Sequence, residues 1–442
     1  VLMNDGPEYF ETILPKLKID RLNTMQLRMW EEVHKDQDVL LLSPTGSGKT
    51  LAFLLPTSAK IDKSKPTIQA LVIAPTRELA IQIHSVMQSM GTGISTVLCY
   101  GGHSLKSEQR SLESKPQMVI GTPGRIHDHI RRENLDIEAL EVLVLDEFDK
   151  SLELGFQDDI KGIARFPHAV EQFVFTSATD GIQIPDFLGL KHPKRLDFIK
   201  ENKSSSRLNL YKVISPDKDK ITTLVHLLTD LGDTSTLVFL NYREAVERVH
   251  NLLMENQIET EYFHGGLDQK ERELRLMKFR NGSVRILVTT DLASRGLDIP
   301  LVRNVIHYQL PSKEDQFVHR NGRTARMHAF GNAFVLTSEF ETLKDYLPAQ
   351  MKTYGVRAGD TTDLPSAWVT IEFSKGKKDN INKIDVLGFL TKSCNLSGDQ
   401  VGLIEIKPYR SYAAIRSESW DTILKHSKNL KIKGKSVKLK QI

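Results

Sequence analysis

The feature that most constrains this chain is an alternation that occurs twice. Short apolar runs, VLLL at Val39, ALVIAP at Ala70, MVIGT at Met118, VLVLDE at Val142 and QFVFTSAT at Gln172, are separated by stretches of helical character such as TRELAIQIHSVMQSM from Thr76. Runs that are apolar throughout are buried on both faces. Such strands alternating with helices form a doubly wound parallel sheet. After the polar stretch KENKSSSR (200–207) the pattern begins again, with TLVFL at Thr236, TEYFHG at Thr260, VRILVTTD at Val284, VRNVIHY at Val302 and GNAFVLT at Gly331. A chain of 442 residues is too long for one ordinary core, so two such α/β units in tandem are expected.

A second break, GVRAGDTTDLPSA (355–367), precedes a segment with a different order. Strand-like runs start at Val369, Val401, Tyr412 and Val437, and helix-like runs at Lys383 and Trp420. That order resembles a small α+β unit of the RNA-recognition-motif type. The expected domains are 1–203, 207–354 and 368–442. From Val369 onward there are 15 Lys and Arg against 7 Asp and Glu, a balance of +8 in a chain whose total is +4, so the remainder stands at −4. A mildly acidic body with a basic tail suits a polyanionic partner. No apolar run approaches the roughly 18 residues of a membrane span, and no signal peptide is visible. Cys99 and Cys394, the two cysteines, suit a reducing cytoplasm.

SPTGSGKT, Ser43 to Thr50, follows an apolar strand and precedes a helix-like run, which is the context of a phosphate loop. In that reading Ser43, Thr45, Gly46, Ser47 and Gly48 form the cradle. Gly46 and Gly48 let backbone N–H groups turn inward, Lys49 supplies positive charge, and Thr50 a hydroxyl for Mg²⁺. Asp146 and Glu147 end another buried strand. Asp146 suits the metal and Glu147 the attacking water of a hydrolysis.

With the motifs that follow, these residues resemble the DEAD-box RNA helicases of superfamily 2 over nearly the whole chain. DEFD at Asp146 stands at the family's naming motif, with Phe148 for alanine. SAT, with Ser177 and Thr179, resembles the motif coupling hydrolysis to strand separation. APTRELA at Ala74, Gly101-Gly102 and TPGR at Thr122 resemble first-domain RNA contacts. HGGLDQKER at His264, TTDLASRGLD at Thr289 and HRNGRTAR at His319 complete the series in family order. The resemblance implies ATP as cofactor with Mg²⁺, and RNA backbone contacts at Thr76, Arg77, Gly102, Thr122, Arg125 and Thr290. It implies ribose contact by Asp298, coupling by His319, and arginine fingers at Arg323 and Arg326, spaced as on one face of a helix turn. Gln26 in LNTMQ would read adenine, although Asn23 replaces the family's threonine, and Phe10 is the candidate stacking aromatic. Lys49, Asp146, Glu147, Arg323 and Arg326 are the expected catalytic residues.

The tail, in IEFSKGKKDNINKIDVLGFL, LSGDQVGLIEI and YRSYAAIR, resembles the RNA-binding domain of the bacterial DbpA subfamily. Glu372 and Arg410 stand where a recognition motif would offer stacking aromatics. Recognition is therefore expected from Lys375, Lys377, Lys378, Lys407, Arg410 and Arg416. The resemblance implies an enzyme that unwinds short duplexes near a hairpin of large-subunit ribosomal RNA in the pre-ribosomal particle, during ribosome assembly; a monomer is expected. The competing readings are a non-hydrolysing RNA clamp, against which Lys49, Glu147, Arg323 and Arg326 speak, and a DNA translocase of the same superfamily.

Overall fold

The computed structural model describes residues 6–44, 46–102, 104–165, 170–179, 183–190, 193–199, 208–291, 302–324, 331–357, 366–426 and 431–442. The polar stretch 200–207 lies outside them. The chain divides into two compact units, one covering the first α/β half and the other the second half with the tail.

In the first unit the doubly apolar runs become parallel strands. They are β1 (Val39–Leu42), β2 (Ala70–Ile73), β3 (Thr96–Cys99), β4 (Met118–Gly121), β5 (Val142–Leu145), β6 (Gln172–Ser177) and β7 (Lys194–Asp197), in the sheet order β3-β4-β2-β5-β6-β1-β7. Successive side chains point to opposite faces. Leu41, Val72 and Val144 therefore join one core with the helices Thr24–Val33, Lys49–Lys60 and Arg77–Met90. Leu40, Leu42, Leu71, Leu143 and Leu145 join the other. Because β5, β6 and β1 are neighbours and parallel, their C-terminal ends bring three motifs side by side. Leu42 is in register with Ser177, and Leu145 with Phe175. Ser43 N donates to Ser177 O at 3.0 Å, continuing that register into the phosphate loop.

The second unit repeats the plan with β8 (Leu208–Ser215), β9 (Thr236–Phe239), β10 (Glu261–Phe263), β11 (Ile286–Thr289), β12 (Asn304–His307), β13 (Gly331–Ser338) and β14 (Lys352–Thr353). All are parallel, in the order β10-β11-β9-β12-β13-β8-β14. The tail forms β15 (Trp368–Phe373), β16 (Val401–Ile406), β17 (Ser411–Arg416), the short hairpin β18 (Lys431–Ile432) with β19 (Lys435–Ser436), and β20 (Leu439–Gln441). Its antiparallel sheet runs β16-β17-β15-β20, with the helices Lys383–Gly388 and Trp420–His426 between strands. Ile371, Phe373, Ala413 and Ile415 point to its core.

The opposite face of that sheet is seated on the second α/β sheet's domain. Thr370 is wholly buried, and its Oγ1 meets Ser283 Oγ at 2.7 Å and Asn281 Nδ2 at 2.8 Å. Ser366 Oγ donates to Gly282 O at 2.7 Å. Arg280 pairs with Glu405 at 2.9 Å and Lys407 with Glu273 at 3.0 Å. Among the described residues no helix is long and apolar enough to cross a membrane.

Candidate active site and nucleic-acid surfaces

The loop after β1 is held open by its own chemistry. Gly46 and Gly48 have φ of 81° and 92°, a region where a side chain is strained. A Cβ on Gly48 would also stand 2.7 Å from Gln26 Nε2. Lys49 Nζ donates to Ser43 O at 2.7 Å and Pro44 O at 3.0 Å, and Ser43 Oγ donates to Ser47 Oγ at 2.8 Å. The helix Lys49–Lys60 starts at Gly48 with no side-chain cap. Its first N–H groups and dipole therefore face the loop, an arrangement that suits phosphate. Thr45 lies outside the described residues.

Asn23 has a structural task beside the loop. It caps the helix Thr24–Val33 in a reciprocal box: its Oδ1 accepts from Gln26 N, and its own N donates to Gln26 Oε1, both at 2.9 Å. Asn23 Nδ2 reaches Ser47 O at 3.1 Å, and Gln26 Nε2 reaches Gly48 O at 3.3 Å. The adenine-reading candidate is thus tied to the phosphate loop. Phe10 packs edge-on against Trp30, with ring centroids 4.6 Å apart.

Asp146 and Glu147 sit at the end of β5, both buried. Thr176 on β6 joins them: its hydroxyl donates to Asp146 Oδ1 and accepts from Glu147 N at 3.1 Å. Burial pushes the Asp146 carboxyl up, opposed by the Thr176 bond and by the nearby Lys49 ammonium. A buried carboxylate beside the loop is a fitting partner for a dication, which would offset its desolvation. Glu147 adopts φ 45°, ψ 52° as N-cap of the helix Phe148–Glu153. This left-handed conformation costs about 1–3 kcal/mol outside glycine and is found at functional sites. Phe148 does find room: wholly buried, it meets Phe175 edge-on at 5.2 Å in the core behind the acids. The SAT segment reaches the last acid of DEFD, because Thr179 Oγ1 donates to Asp149 Oδ2 at 3.1 Å and Ser177 Oγ accepts from Thr179 N at 3.0 Å.

The expected RNA contacts of the first unit also gather at strand ends. Thr76 caps the helix Arg77–Met90, accepting from Leu79 N at 3.2 Å. Arg77 lies over Gly101, where a Cβ would stand 3.0 Å from its guanidinium. Gly102 has φ 97° and is exposed. Thr122 opens the helix Pro123–Arg131, on which Arg125 sits. Thr290 N donates to Phe263 O at 3.4 Å in the second unit.

There the helix Glu314–Asn321 carries buried His319 and ends before Arg323, with Gly322 as its cap. Arg323 follows in the next turn, its N donating to Arg320 O at 3.2 Å. Arg323 is buried and its O accepts from Val302 N at 3.1 Å. Asp298 and Arg326 lie outside the described residues. Thr176, Asp149 and Arg320 went unread in the sequence, although all three lie inside the recognised strings.

In the tail, a Cβ on Gly376 would stand 2.3 Å from Lys407 O, so the turn 375–379 and the loop 407–410 are pressed together. Lys377 and Lys378 are exposed there, and Lys378 Nζ lies 4.4 Å from the centroid of the exposed Tyr409 ring. Lys375 bonds Asp379 at 3.2 Å, while Lys435 and Lys433 bond the carbonyls of Asp379 and Asn380 at 2.7 and 3.0 Å. Lys407 points instead to Glu273, Arg410 pairs with Glu372 at 2.6 Å, and Arg416 stacks over Trp368 at 4.5 Å.

Family models match in the same three blocks: DEAD/DEAH box helicase at residues 23–185, helicase conserved C-terminal domain at 219–328, and DbpA RNA binding domain at 370–441. ATP-dependent RNA helicase DbpA of Escherichia coli is 33% identical over 97% of this chain and 98% of its own length. The chain belongs to the DEAD-box RNA helicases of the DbpA type. As a DEAD-box helicase it is an ATP-dependent enzyme acting on RNA. The DbpA of Bacillus subtilis is 29% identical over 91% of each chain. Among solved structures the chain is similar to S. cerevisiae Dbp5 bound to RNA and ADP BeF3, with TM-score 0.67 and 27% identity over 75% of this chain and 88% of that one.

Proposed function

We propose that this DEAD-box enzyme locally unwinds short duplexes in structured large-subunit ribosomal RNA, as a cytoplasmic monomer taking part in ribosome assembly. The observation that carries the reading is the basic surface of the DbpA-type tail, where Lys375, Lys433 and Lys435 bond within the turn that bears Lys377 and Lys378, and Lys378 lies over the exposed Tyr409 ring. It supplies phosphate-directed charge and a ring on which a base can stack. The domain limits 1–203, 207–354 and 368–442 belong to this reading.

The core residues take the following roles. Ser43 to Thr50 cradle the phosphates of ATP, Gln26 reads adenine, and Asp298 holds the ribose. Thr50 and Asp146 would hold Mg²⁺, which neutralises phosphate charge when bound. Glu147 orients the attacking water. Arg323 and Arg326 act on the γ-phosphate charge, for which a planar guanidinium is suited. Thr76, Arg77, Gly102, Thr122, Arg125 and Thr290 grip RNA through its backbone, so the core is indifferent to sequence. Ser177, Thr179 and His319 couple the two activities. Tethering by the tail raises the local concentration of duplexes near its hairpin.

The experiment is ATP turnover with no nucleic acid, DNA, generic RNA and a large-subunit rRNA hairpin. Turnover stimulated most by the hairpin supports the proposal. Equal stimulation by generic RNA removes the ribosomal target, and equal stimulation by DNA removes RNA specificity.

A further inference from the structure

One buried carboxylate outside the ATP site ties together two of the strings expected to meet RNA. Glu108, in the helix Leu105–Leu112, is 6% exposed. Its Oε1 accepts from Tyr100 N at 3.0 Å, immediately before Gly101-Gly102. Its Oε2 lies 3.5 Å from Arg125 Nε and 2.8 Å from His129 Nε2, both on the helix Pro123–Arg131. Asn134 Nδ2 faces His129 Nδ1 at 3.5 Å, so Nε2 bears the proton and donates to Glu108. Two hydrogen-bonding N–H groups and the Arg125 guanidinium thus converge on one side chain. A carboxylate suits all three; an amide of the same shape has no charge, one acceptor oxygen, and must set its NH₂ against at least one donor.

Cys99 Sγ completes a cluster whose donor atoms with Glu108 and His129 all lie within 4.8 Å of one another. The guanidinium on Glu108 argues for a clamp over a metal centre: a cation already sits on the carboxylate, and burial keeps the Cys99 thiol protonated. The backbone agrees, because Thr122 N donates to Cys99 O at 3.1 Å where β3 and β4 end side by side.

We propose that Glu108 is a positioning residue for RNA, holding Arg125 by its Nε edge beside the Gly101-Gly102 turn. This rests on the reading of Arg125 and Gly102 as RNA contacts. Glu108 itself touches no RNA in the proposal. It stops the arginine from relaxing to other rotamers, so that ordering the side chain is not left to the binding step.

The test compares Glu108→Gln, Arg125→Lys, Arg125→Ala and the double variant Glu108→Gln with Arg125→Ala, all in the full chain. RNA binding is read by fluorescence anisotropy and by the RNA concentration that half-saturates ATP turnover, with thermal unfolding alongside. Glu108→Gln should raise half-saturating RNA about tenfold, the scale of losing one charge-assisted bond, and lower saturated turnover less than about twofold. In the Arg125→Ala background it should add less than about twofold, because the residue through which it acts is gone. Full additivity of the two changes overturns the proposal, as does a Glu108→Gln protein that binds RNA normally while Arg125→Ala does not. Should Glu108→Gln fail to fold, Arg125→Lys decides. It keeps the charge and loses the gripped edge, so normal RNA affinity would overturn the proposal. If Arg125→Ala itself leaves RNA binding intact, the assignment of Arg125 falls first and takes the positioning role with it.

Discussion

Arg320 grips Asp291 with two parallel bonds, Nε to Oδ1 at 2.6 Å and Nη2 to Oδ2 at 3.1 Å. The same guanidinium, wholly buried, donates to Gln309 O at 2.7 Å and Asn241 Oδ1 at 2.8 Å. It therefore joins the segments that follow β9, β11 and β12 to the helix that carries His319. Arg320→Ala would remove the fork on Asp291 and the donors to Gln309 O and Asn241 Oδ1, and should cost about 3–5 kcal/mol. Arg320→Lys keeps the charge but not the planar fork, and should recover little of the loss. Thermal unfolding of the full chain checks both. A lysine variant as stable as the parent would show that charge alone suffices.

Thr176 is the corresponding joint of the first unit, bonded to Asp146 and to Glu147 N. Thr176→Val preserves shape and removes both bonds, leaving a buried N–H and a buried carboxylate oxygen unsatisfied. The cost is about 1–3 kcal/mol in stability. Because the lost bonds orient the two acids, saturated ATP turnover should fall at least about tenfold while ATP binding is retained. Normal turnover in steady-state kinetics would refute the orienting role.

Glu147→Gln separates hydrolysis from binding. The amide keeps the side chain's volume and loses its basicity, so RNA-stimulated turnover should drop about 10²–10⁴-fold. ATP and RNA should still bind together, measurable by co-purification or anisotropy. Turnover within a few-fold of the parent would remove Glu147 from its assigned position beside the water.

The strands read most easily were those buried on both faces. VLLL and VLVL have no polar position, and they became β1 and β5. The two edge strands of the first sheet were missed for the converse reason. TVLC alternates between buried and half-buried positions, and KRLD exposes its first two residues, so neither β3 nor β7 carries the doubly apolar signature. The phosphate loop and the acidic pair were legible because their chemistry is local in sequence. Thr176, Glu108 and Arg320 were not, because each works through residues far along the chain: Asp146, Arg125 and Asp291. Lys407 shows the same limit from the other side. Its charge suggested nucleic acid, yet its ammonium faces Glu273 across the seam that seats the tail.

His307 gives the second unit an acid sensitivity with a definite sign. It is fully buried, accepts no solvent, and bonds Asn321 Oδ1 at 2.9 Å. Burial, helped by the nearby Arg320 charge, pushes its pKa from 6.5 down to about 3. Between those values the unfolded chain binds a proton that the folded chain refuses, so stability rises with pH across the window and is lost as pH falls. The slope from this group approaches about 1.4 kcal/mol per pH unit. His307→Gln should flatten the stability profile between pH 6.5 and the acid limit, read by urea unfolding at several pH values. An unchanged slope would mean that other groups govern the acid transition.

Tyr409 tests how the tail chooses its RNA. The ring is exposed, Lys378 lies over it at 4.4 Å, and Gly376 allows the lysine-bearing turn to press against the loop that presents it. If a base stacks there, Tyr409→Ala should weaken binding of the rRNA hairpin by about 1–3 kcal/mol, while Tyr409→Phe keeps the ring and most of the affinity. Lys378→Ala should act differently. It removes a phosphate-directed charge, so it should weaken hairpin and generic RNA alike and lower the salt dependence of binding by about one unit of slope. Titrating both RNAs at several salt concentrations separates the two effects. Should Tyr409→Ala bind the hairpin as tightly as the parent, the ring is no stacking platform and recognition must rest on the surrounding lysines.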